Sequence, residues 1–494
     1  MAKKVAIIGS GVGGLCCGIR LAHAGFDVSI YEKEAGPGGV IQYCEDPDTG
    51  IQFDQFATIG IHPKEYYTVF QEADLDPHKY FKGKVLDEFY KVFSADGRSY
   101  LLSKNYWEDV EGFEAFFGEP IGNYETFVNA FTSKYHAANR SLLTKPLWSG
   151  RQLANPKLMK AALALKPLRS AEHEIHQCIT SQTLRDFLLF QTFYMGLSPQ
   201  HLSNVYASIP AVSQSEGLLY VRGGMGAYAS ALVQAFYDLG GHLYCNRTIT
   251  SIKMDGSKAI GLQVDHEFVP ADIVVSNADV TFTMQNLLPQ AKQANKAGKS
   301  TMSCSVFVLR LALETAFPML STHNIVLPQS TQAEMEAVSE GKLPGSPPLY
   351  IYYQSHLDSA SKNTCASCIN IMVRVPNRGA YQAWDSTTTQ KLKELCIQAL
   401  IDITGIKHLR DSIISQSMST PLDLENQYNC WQGAAFGLAP SYFQSVLFRP
   451  QLKQKGTTQL YFVGSSIHPG SGISIVMKGA KLTAQQIILD ARGE

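Results

Sequence analysis

The chain has no excess of either charge: 42 Lys and Arg stand against 43 Asp and Glu. A general polyanion binder carries a basic surplus, so nucleic acid is not an expected partner. It also lacks any uninterrupted apolar run long enough to span a bilayer, which leaves only peripheral contact with a membrane. Its ten cysteines form no disulfide framework. Cys16 and Cys17 are adjacent inside a predicted helix. Cys365 and Cys368 make a lone CxxC that admits metal or redox use but reads better as reduced thiols of a cytosolic protein. No metal site is expected. There is no internal repeat and no low-complexity tract. With 494 residues the chain is too long for one ordinary core, so two or three domains are expected.

What is present begins at once. In "KKVAIIGSGVGGLCCGIRLAHAGFDVSIYEKE" residues 5–8 read as a buried parallel strand, and Gly9, Gly11 and Gly14 supply G-x-G-x-x-G. Residues 14–24 read as a helix, and 28–31 as a second strand ending at Glu32. Gly9 permits the tight turn, Gly11 lets backbone approach a pyrophosphate, and Gly14 lets helix and strand pack closely. The helix start offers unpaired N–H groups to phosphate. Glu32 is placed to accept hydrogen bonds from a ribose. Alone, the glycine motif also fits an ordinary turn; strand, helix and acidic residue together favour a dinucleotide site. The following "EAGPGG" puts Gly36, Gly38 and Gly39 where a second loop can cross the pyrophosphate, which favours FAD over NAD. No second G-x-G-x-x-G follows, so no nicotinamide domain is expected.

Further on, 221–264 reads as helix, strand, a turn at Asp255 and Gly256, and strand. Residues 271–279 hold one more strand, while 303–313 and 369–377 look like strands of a second sheet. "LYFVG" (460–464) and its helix return to the first. The expected fold class is α/β: a Rossmann-like FAD-binding domain assembled from 1–80, 215–290 and 455–494. A helical, membrane-facing region spans 81–214, and a substrate domain with an antiparallel sheet spans 291–454. "NPKLMKAALALKPLRS" (155–170) is a basic amphipathic stretch that fits either a membrane interface or a helix packed on the core. The aromatics of 184–199 fit tunnel walls or core.

The N-terminal glycines, "VRGGMGAYASAL" (221–232), "SCSVFVL" (303–309), "GAAFGLAPSYFQSVLFRP" (433–450) and "LYFVGSSIHPGSGISIVMKGAK" (460–481) resemble the bacterial phytoene desaturase family. The likeness is greatest to the C30 diapophytoene type, FAD-dependent carotenoid desaturases of the flavin amine oxidase superfamily. The resemblance implies that Gly9, Gly11, Gly13, Gly14, Glu32 and Lys33 serve the ADP half of FAD, with Gly39 and Val40 in the second loop. It implies backbone contact of Ile249 with adenine, and a place near the flavin face for Arg222, Gly224 and Met225. Gly464, His468, Pro469, Gly470, Gly472, Ile473 and Val476 are implied at the isoalloxazine end. Two positions depart from the family pattern: Val40 replaces an Arg, and Phe56-Ala57 in "FDQFAT" replace Gly-Pro.

The implied chemistry is hydride transfer from an allylic carbon of a linear isoprenoid to the flavin, then proton loss, with the C-terminal helix start stabilising charge at the flavin edge. His468 reads as a general base or as a positional hydrogen-bonding group. Arg222 either pairs with the cofactor or braces its loop. Asp54, Asp358 and Glu425 are open to a role in proton loss, or to pairing and capping. The expected partners are a long apolar isoprenoid, a membrane surface, and oxygen or a quinone as electron acceptor; the expected location is the cytoplasmic membrane face. Two other readings stand beside this one. They are a flavin-dependent oxidase or oxygenase of a carotenoid end group or another lipid, and a non-catalytic prenyl-lipid-binding protein.

Overall fold

The computed structural model describes residues 2–145, 169–288, 298–358, 367–445, 448–454 and 456–493. The basic amphipathic reading of 155–170 therefore falls, but for Arg169 and Ser170, outside the described residues, as does Cys365.

Five short strands, β1 (Lys4–Ile8), β2 (Asp27–Tyr31), β3 (His242–Tyr244), β4 (Ile273–Ser276) and β5 (Leu460–Phe462), form a parallel sheet in the order β5-β4-β1-β2-β3, and its central strands carry continuous apolar runs. Such runs belong in a sheet covered on both faces, and β4 and β5 are buried throughout. Helices α1 (Val12–His23), α2 (Gly224–Asp238) and α3 (Ile473–Arg492) pack together on one side. The contact is close because α1 is glycine-rich. A Cβ on Gly18 would lie 3.0 Å from Phe236 and 3.1 Å from Ile30, and one on Gly14 would lie 2.2 Å from the Gly9 carbonyl oxygen. The strands that build this sheet come from three separated stretches of chain. An antiparallel meander (Ile249–Asp255, Lys258–Val264, Glu267–Pro270) is built around the Asp255–Gly256 turn.

The second sheet has seven strands, in the order Ile413–Ser419, Ser305–Leu313, Ser367–Val375, Leu349–Tyr353, His323–Val326, Glu88–Phe93, Ser99–Ser103. All its pairs are antiparallel except that between Glu88–Phe93 and His323–Val326. Alternation decides its faces. Ile369, Ile371, Val373 and Val375 join one core with Leu392, Cys396, Ile397 and Leu400 of helix Ser386–Thr404. The other face meets the helical segments and the nucleotide-binding half.

Within 81–214, expected to be helical, the hairpin of Glu88–Phe93 and Ser99–Ser103 instead extends this sheet. Its strands are rich in aromatic residues, and Asp96 and Gly97 (φ +82°) make the turn, with the Arg98 N–H donating to Asp96 Oδ1 at 3.1 Å. The described α-helices of this segment are Val110–Phe117, Ile121–Ala138, Ala171–Cys178, Gln182–Thr192 and Ser208–Glu216, and a short strand, Gly83–Val85, pairs with Leu219–Val221. Leu184, Phe187, Leu188, Leu189, Phe190 and Phe193 are buried among these helices as core. Among the described residues no helix is long and apolar enough to cross a membrane.

Because α1 rests on β1 through Gly14, overpacking there must open the sheet. Gly14→Ala is expected to lower unfolding free energy by the upper part of the roughly 1–3 kcal/mol typical of overpacked cores, read as a lower urea midpoint.

Candidate cofactor cleft and active site

β1 ends at Ile8, and Gly9 (φ +87°) turns the chain while its N–H donates to the Tyr31 carbonyl at 2.8 Å. Helix α1 then starts at Gly11 with no side-chain cap. Its first N–H groups are left for whatever enters the cleft. The carboxamide of Asn277, immediately after β4, lies against this turn: its Nδ2 donates to the Gly9 carbonyl at 3.3 Å. A Cβ on Gly11 would come within 2.9 Å of Asn277, and one on Gly13 within 2.5 Å. The glycine spacing thus makes room both for an incoming ligand and for a side chain more than 260 residues away.

The second glycine loop crosses the first. The Gly38 N–H donates to the Ser10 carbonyl at 3.1 Å, and Gly11 and Gly38 form a parallel bridge. A Cβ on Gly39 (φ +57°) would stand 3.1 Å from Gly11 Cα. Glu32 is buried and already oriented. Its Oε2 accepts from the Ser10 N–H at 2.8 Å and the Ser10 hydroxyl at 2.7 Å, and its Oε1 from the Glu34 N–H at 3.0 Å. Lys33 crosses the cleft edge to donate to the Asn426 carbonyl at 2.6 Å.

These elements enclose a cleft of about 450 Å³ at the carboxyl ends of β1, β4 and β5. In open α/β sheets that is where ligands bind. Gly9, Gly11, Gly13, Glu32, Lys33, Gly39, Val40, Ile249, Gly464, Gly472, Ile473 and Val476 all line it. At its far end α3 also begins on a glycine, Gly472 (φ +97°), without a side-chain cap. A Cβ there would meet nothing closer than 3.9 Å. The loop leading to it is held by Arg449, which is buried and donates to three carbonyls: Ile467 at 3.0 Å, Ser465 at 2.6 Å and Leu438 at 3.4 Å. Val40 and Ala57 line the cleft, while Phe56 packs edge-on against Tyr428, ring centroids 5.7 Å apart.

Gly36 lines the cleft too, whereas Gly14, His468, Pro469, Gly470, Arg222, Gly224, Met225, Asp54, Asp358 and Glu425 are not among its lining residues. Gly14 is packed under it. His468 is fully buried; its N–H donates to the Pro450 carbonyl at 2.8 Å, and its Nε2 lies 3.2 Å from the Lys145 carbonyl oxygen. Pro469 follows through a cis peptide, and Gly470 (φ +144°) has no atom within 4 Å of its Cβ direction. Arg222 is exposed.

Gly224 and Met225 open α2, where a Cβ on Gly224 would strike the Asp54 carboxylate at 2.3 Å. Asp54 accepts from the Met225 N–H at 3.0 Å and the Gly226 N–H at 2.9 Å, so it caps α2 from a distance of 171 residues in sequence. Asp358 accepts from the Gly223 N–H at 2.6 Å, and Glu425 pairs with Arg378. Burial pushes the Asp54 carboxyl up to about 7, against the two amide donors and Arg310, which pull it down. Asn277 and Arg449 were not foreseen; for Asp54 capping was one of the open readings, but not which helix it caps. The only local signal of the first two was small polar residues after a strand and an Arg-Pro pair; their partners lie far along the chain.

The donor set fits a dinucleotide whose anionic middle meets the bare start of α1, whose ribose meets Glu32, and whose other end reaches the bare start of α3. Fold and cleft together define an FAD-dependent oxidoreductase of the α/β class. The chain belongs to the flavin-containing amine oxidoreductase family, which matches residues 12–488. Among curated proteins it is 29% identical to a 4,4'-diapophytoene desaturase (4,4'-diaponeurosporene-forming) of Staphylococcus haemolyticus, over 98% of this chain and 99% of that one. It is 27% identical to the enzyme of the same description from Staphylococcus aureus strain COL, over 99% of both. Among solved structures, wild-type putrescine oxidase bound to putrescine shares the fold, with a TM-score of 0.66 at 15% identity and full coverage of both chains.

Two outcomes follow from this geometry. Gly472→Val is expected to cut flavin per purified chain by about tenfold or more, while backbone strain of roughly 1–2 kcal/mol leaves the apoprotein folded; absorbance and thermal unfolding measure the two. The folded Asp54 carboxyl holds its proton to a higher pH than the unfolded one. The stability linked to that proton is therefore complete below about 4 and is lost as pH rises through about 7. In urea titrations at pH 5 and 8, the wild type is expected to lose more stability with rising pH than Asp54→Asn.

Proposed function

We propose that the protein is an FAD-dependent desaturase of a linear isoprenoid of the phytoene or diapophytoene type. The observation that carries this reading is end-to-end likeness to two diapophytoene desaturases, in a chain whose glycine loops, Glu32 and bare helix starts suit FAD. FAD, when bound, supplies an acceptor for a hydride leaving an allylic carbon. The chain's contribution is to bind, orient and exclude water. Val40, Ala57 and Ile473 give the cleft apolar lining that would help keep the reacting region dry. The uncapped N–H groups of α3 present partial positive charge there, worth about 0.3–1 kcal/mol in an exposed site and more in a dry one.

Of the acidic residues, Asp54, Asp358 and Glu425 are each engaged with a helix start or an Arg, which supports structural roles for them and leaves proton loss to the substrate's immediate surroundings. Oxygen or a quinone takes the electrons onward in this reading. In this reading the protein works from the cytoplasmic membrane face, a placement supported by the exposed side chains of Phe443 (82%) and Phe448 (68%).

Expression in a strain that makes diapophytoene or phytoene tests the proposal. Products lighter by two hydrogens per step, with lengthening visible absorption, are expected. Products that instead gain oxygen would point to end-group oxidation, and a flavin-loaded protein that leaves both precursors untouched would sink the reading.

A further inference from the structure

On the inner face of the seven-stranded sheet stands a cation that no described residue pairs. Arg374 lies opposite Val306 on strand Ser367–Val375. Its guanidinium carbon is 4.9 Å from the Phe436 ring centroid and 5.5 Å from that of Tyr194. Its Nε is sealed from solvent without a hydrogen-bond partner. The three buried arginines differ, although Arg310 shares a partnerless Nε: Arg20 pairs with Glu72 at 2.7 Å. Arg310 donates to the Gln55 carbonyl at 2.5 Å and the Ser419 hydroxyl at 3.0 Å, and Arg449 to three carbonyls.

The titratable groups around Arg374 are Cys304, Tyr194 and Tyr350, and burial raises all three, Cys304 to about 12. They are neutral at pH 7, and the guanidinium stays charged. The same wall holds a second unmet group. The Tyr350 hydroxyl lies 2.9 Å from Thr58 Oγ1 and 2.7 Å from His323 Nδ1, while His323 Nε2 is buried with no partner. Burial pulls His323 down to about 3, so the charge on this wall belongs to Arg374. Neither group lines the cleft, but their neighbours reach it: Phe436, against Arg374, lines it, and so does Ala57, next in chain to Thr58.

A pure hydrocarbon offers neither nitrogen an acceptor, and a half-buried guanidinium between two aromatic faces, with its Nε shut from solvent, selects oxygen. We propose that Arg374, with Tyr350 and His323 beside it, forms a subsite for a carbonyl or carboxylate oxygen carried by an isoprenoid, so that the enzyme takes oxygen-bearing chains as well as hydrocarbon ones. The inference rests on the isoprenoid reading above and adds the polar end group.

The test titrates FAD-loaded enzyme with farnesoic acid, farnesal and farnesene, which share a chain and differ in the end group, and follows the flavin absorption band. The acid and aldehyde are expected to bind at least about tenfold more tightly than farnesene. Arg374→Met is expected to erase that preference while leaving farnesene binding as it was, and Arg374→Lys to keep part of it for the acid. Equal binding of all three by the wild type, or no saturable response to the acid, overturns the proposal whether or not a variant folds. Equal weakening of all three in Arg374→Met overturns it too, in favour of a brace for the sheet. The desaturase reading is judged separately, by product formation from diapophytoene or phytoene, which this titration does not require.

Discussion

The contact between Gly14 and the carbonyl of Gly9 governs the rest of the molecule. At this distance only hydrogen fits on the Gly14 Cα, and that fit lets α1 start where β1 stops. The helix N-terminus then opens directly into the cleft, Asn277 can tuck under the turn, and the second glycine loop can cross at Gly38. Move the helix outward and each of these contacts lengthens together, because all of them are referred to the same backbone turn. Close packing makes the interior transmit such a shift rather than absorb it.

A second constraint joins the two halves. The segment after strand Gln52–Asp54 passes from the nucleotide-binding half onto the second sheet, and its polar groups are taken up on both sides. The Asp54 carboxylate meets the start of α2, while the Asp54 carbonyl accepts from Asn370 at 2.7 Å and the Gln55 carbonyl from Arg310. A carboxylate placed in so dry a position is destabilised unless its donors stay in register. The same hydrogen bonds therefore hold the sheet and the cleft at a fixed separation, and Ala57 and Thr58 sit between them.

The helix starts show how the chain distributes its unsatisfied donors. Helices Gln182–Thr192, Ser386–Thr404 and Pro421–Tyr428 begin behind Ser181, Asp385 and Thr420, whose side chains accept from the first turn. Helices α1 and α3 begin on glycine with no such acceptor, and both open on the cleft. A capping side chain there would occupy the space and the hydrogen bonds that a phosphate or a flavin edge needs. The bare stretch around Gly472 is thus the electrostatic counterpart of the bare stretch around Gly11, at the opposite end of one cavity.

What could be read from sequence was local in origin. The glycine offsets, the strand and helix flanking them and Glu32 obey rules of a few residues' range, so the parallel sheet and the N-terminal part of the cleft were legible before any coordinates, while Ile249, Gly464, Gly472, Ile473 and Val476 were implied only by the family resemblance. The strands at 303–313 and 369–377 were legible for the same reason, since alternation is a nearest-neighbour pattern. The hairpin inside 81–214 was missed because its aromatic residues also suit helices, and only pairing with His323–Val326 settles the choice. Asn277 beneath the glycine turn, Arg449 behind the loop before α3, Asp54 on α2 and the unpaired Arg374 depended wholly on tertiary structure. Each acts on groups far away in the chain, and a hydrogen bond or a buried charge is defined by distance in space, which spacing along a sequence does not encode.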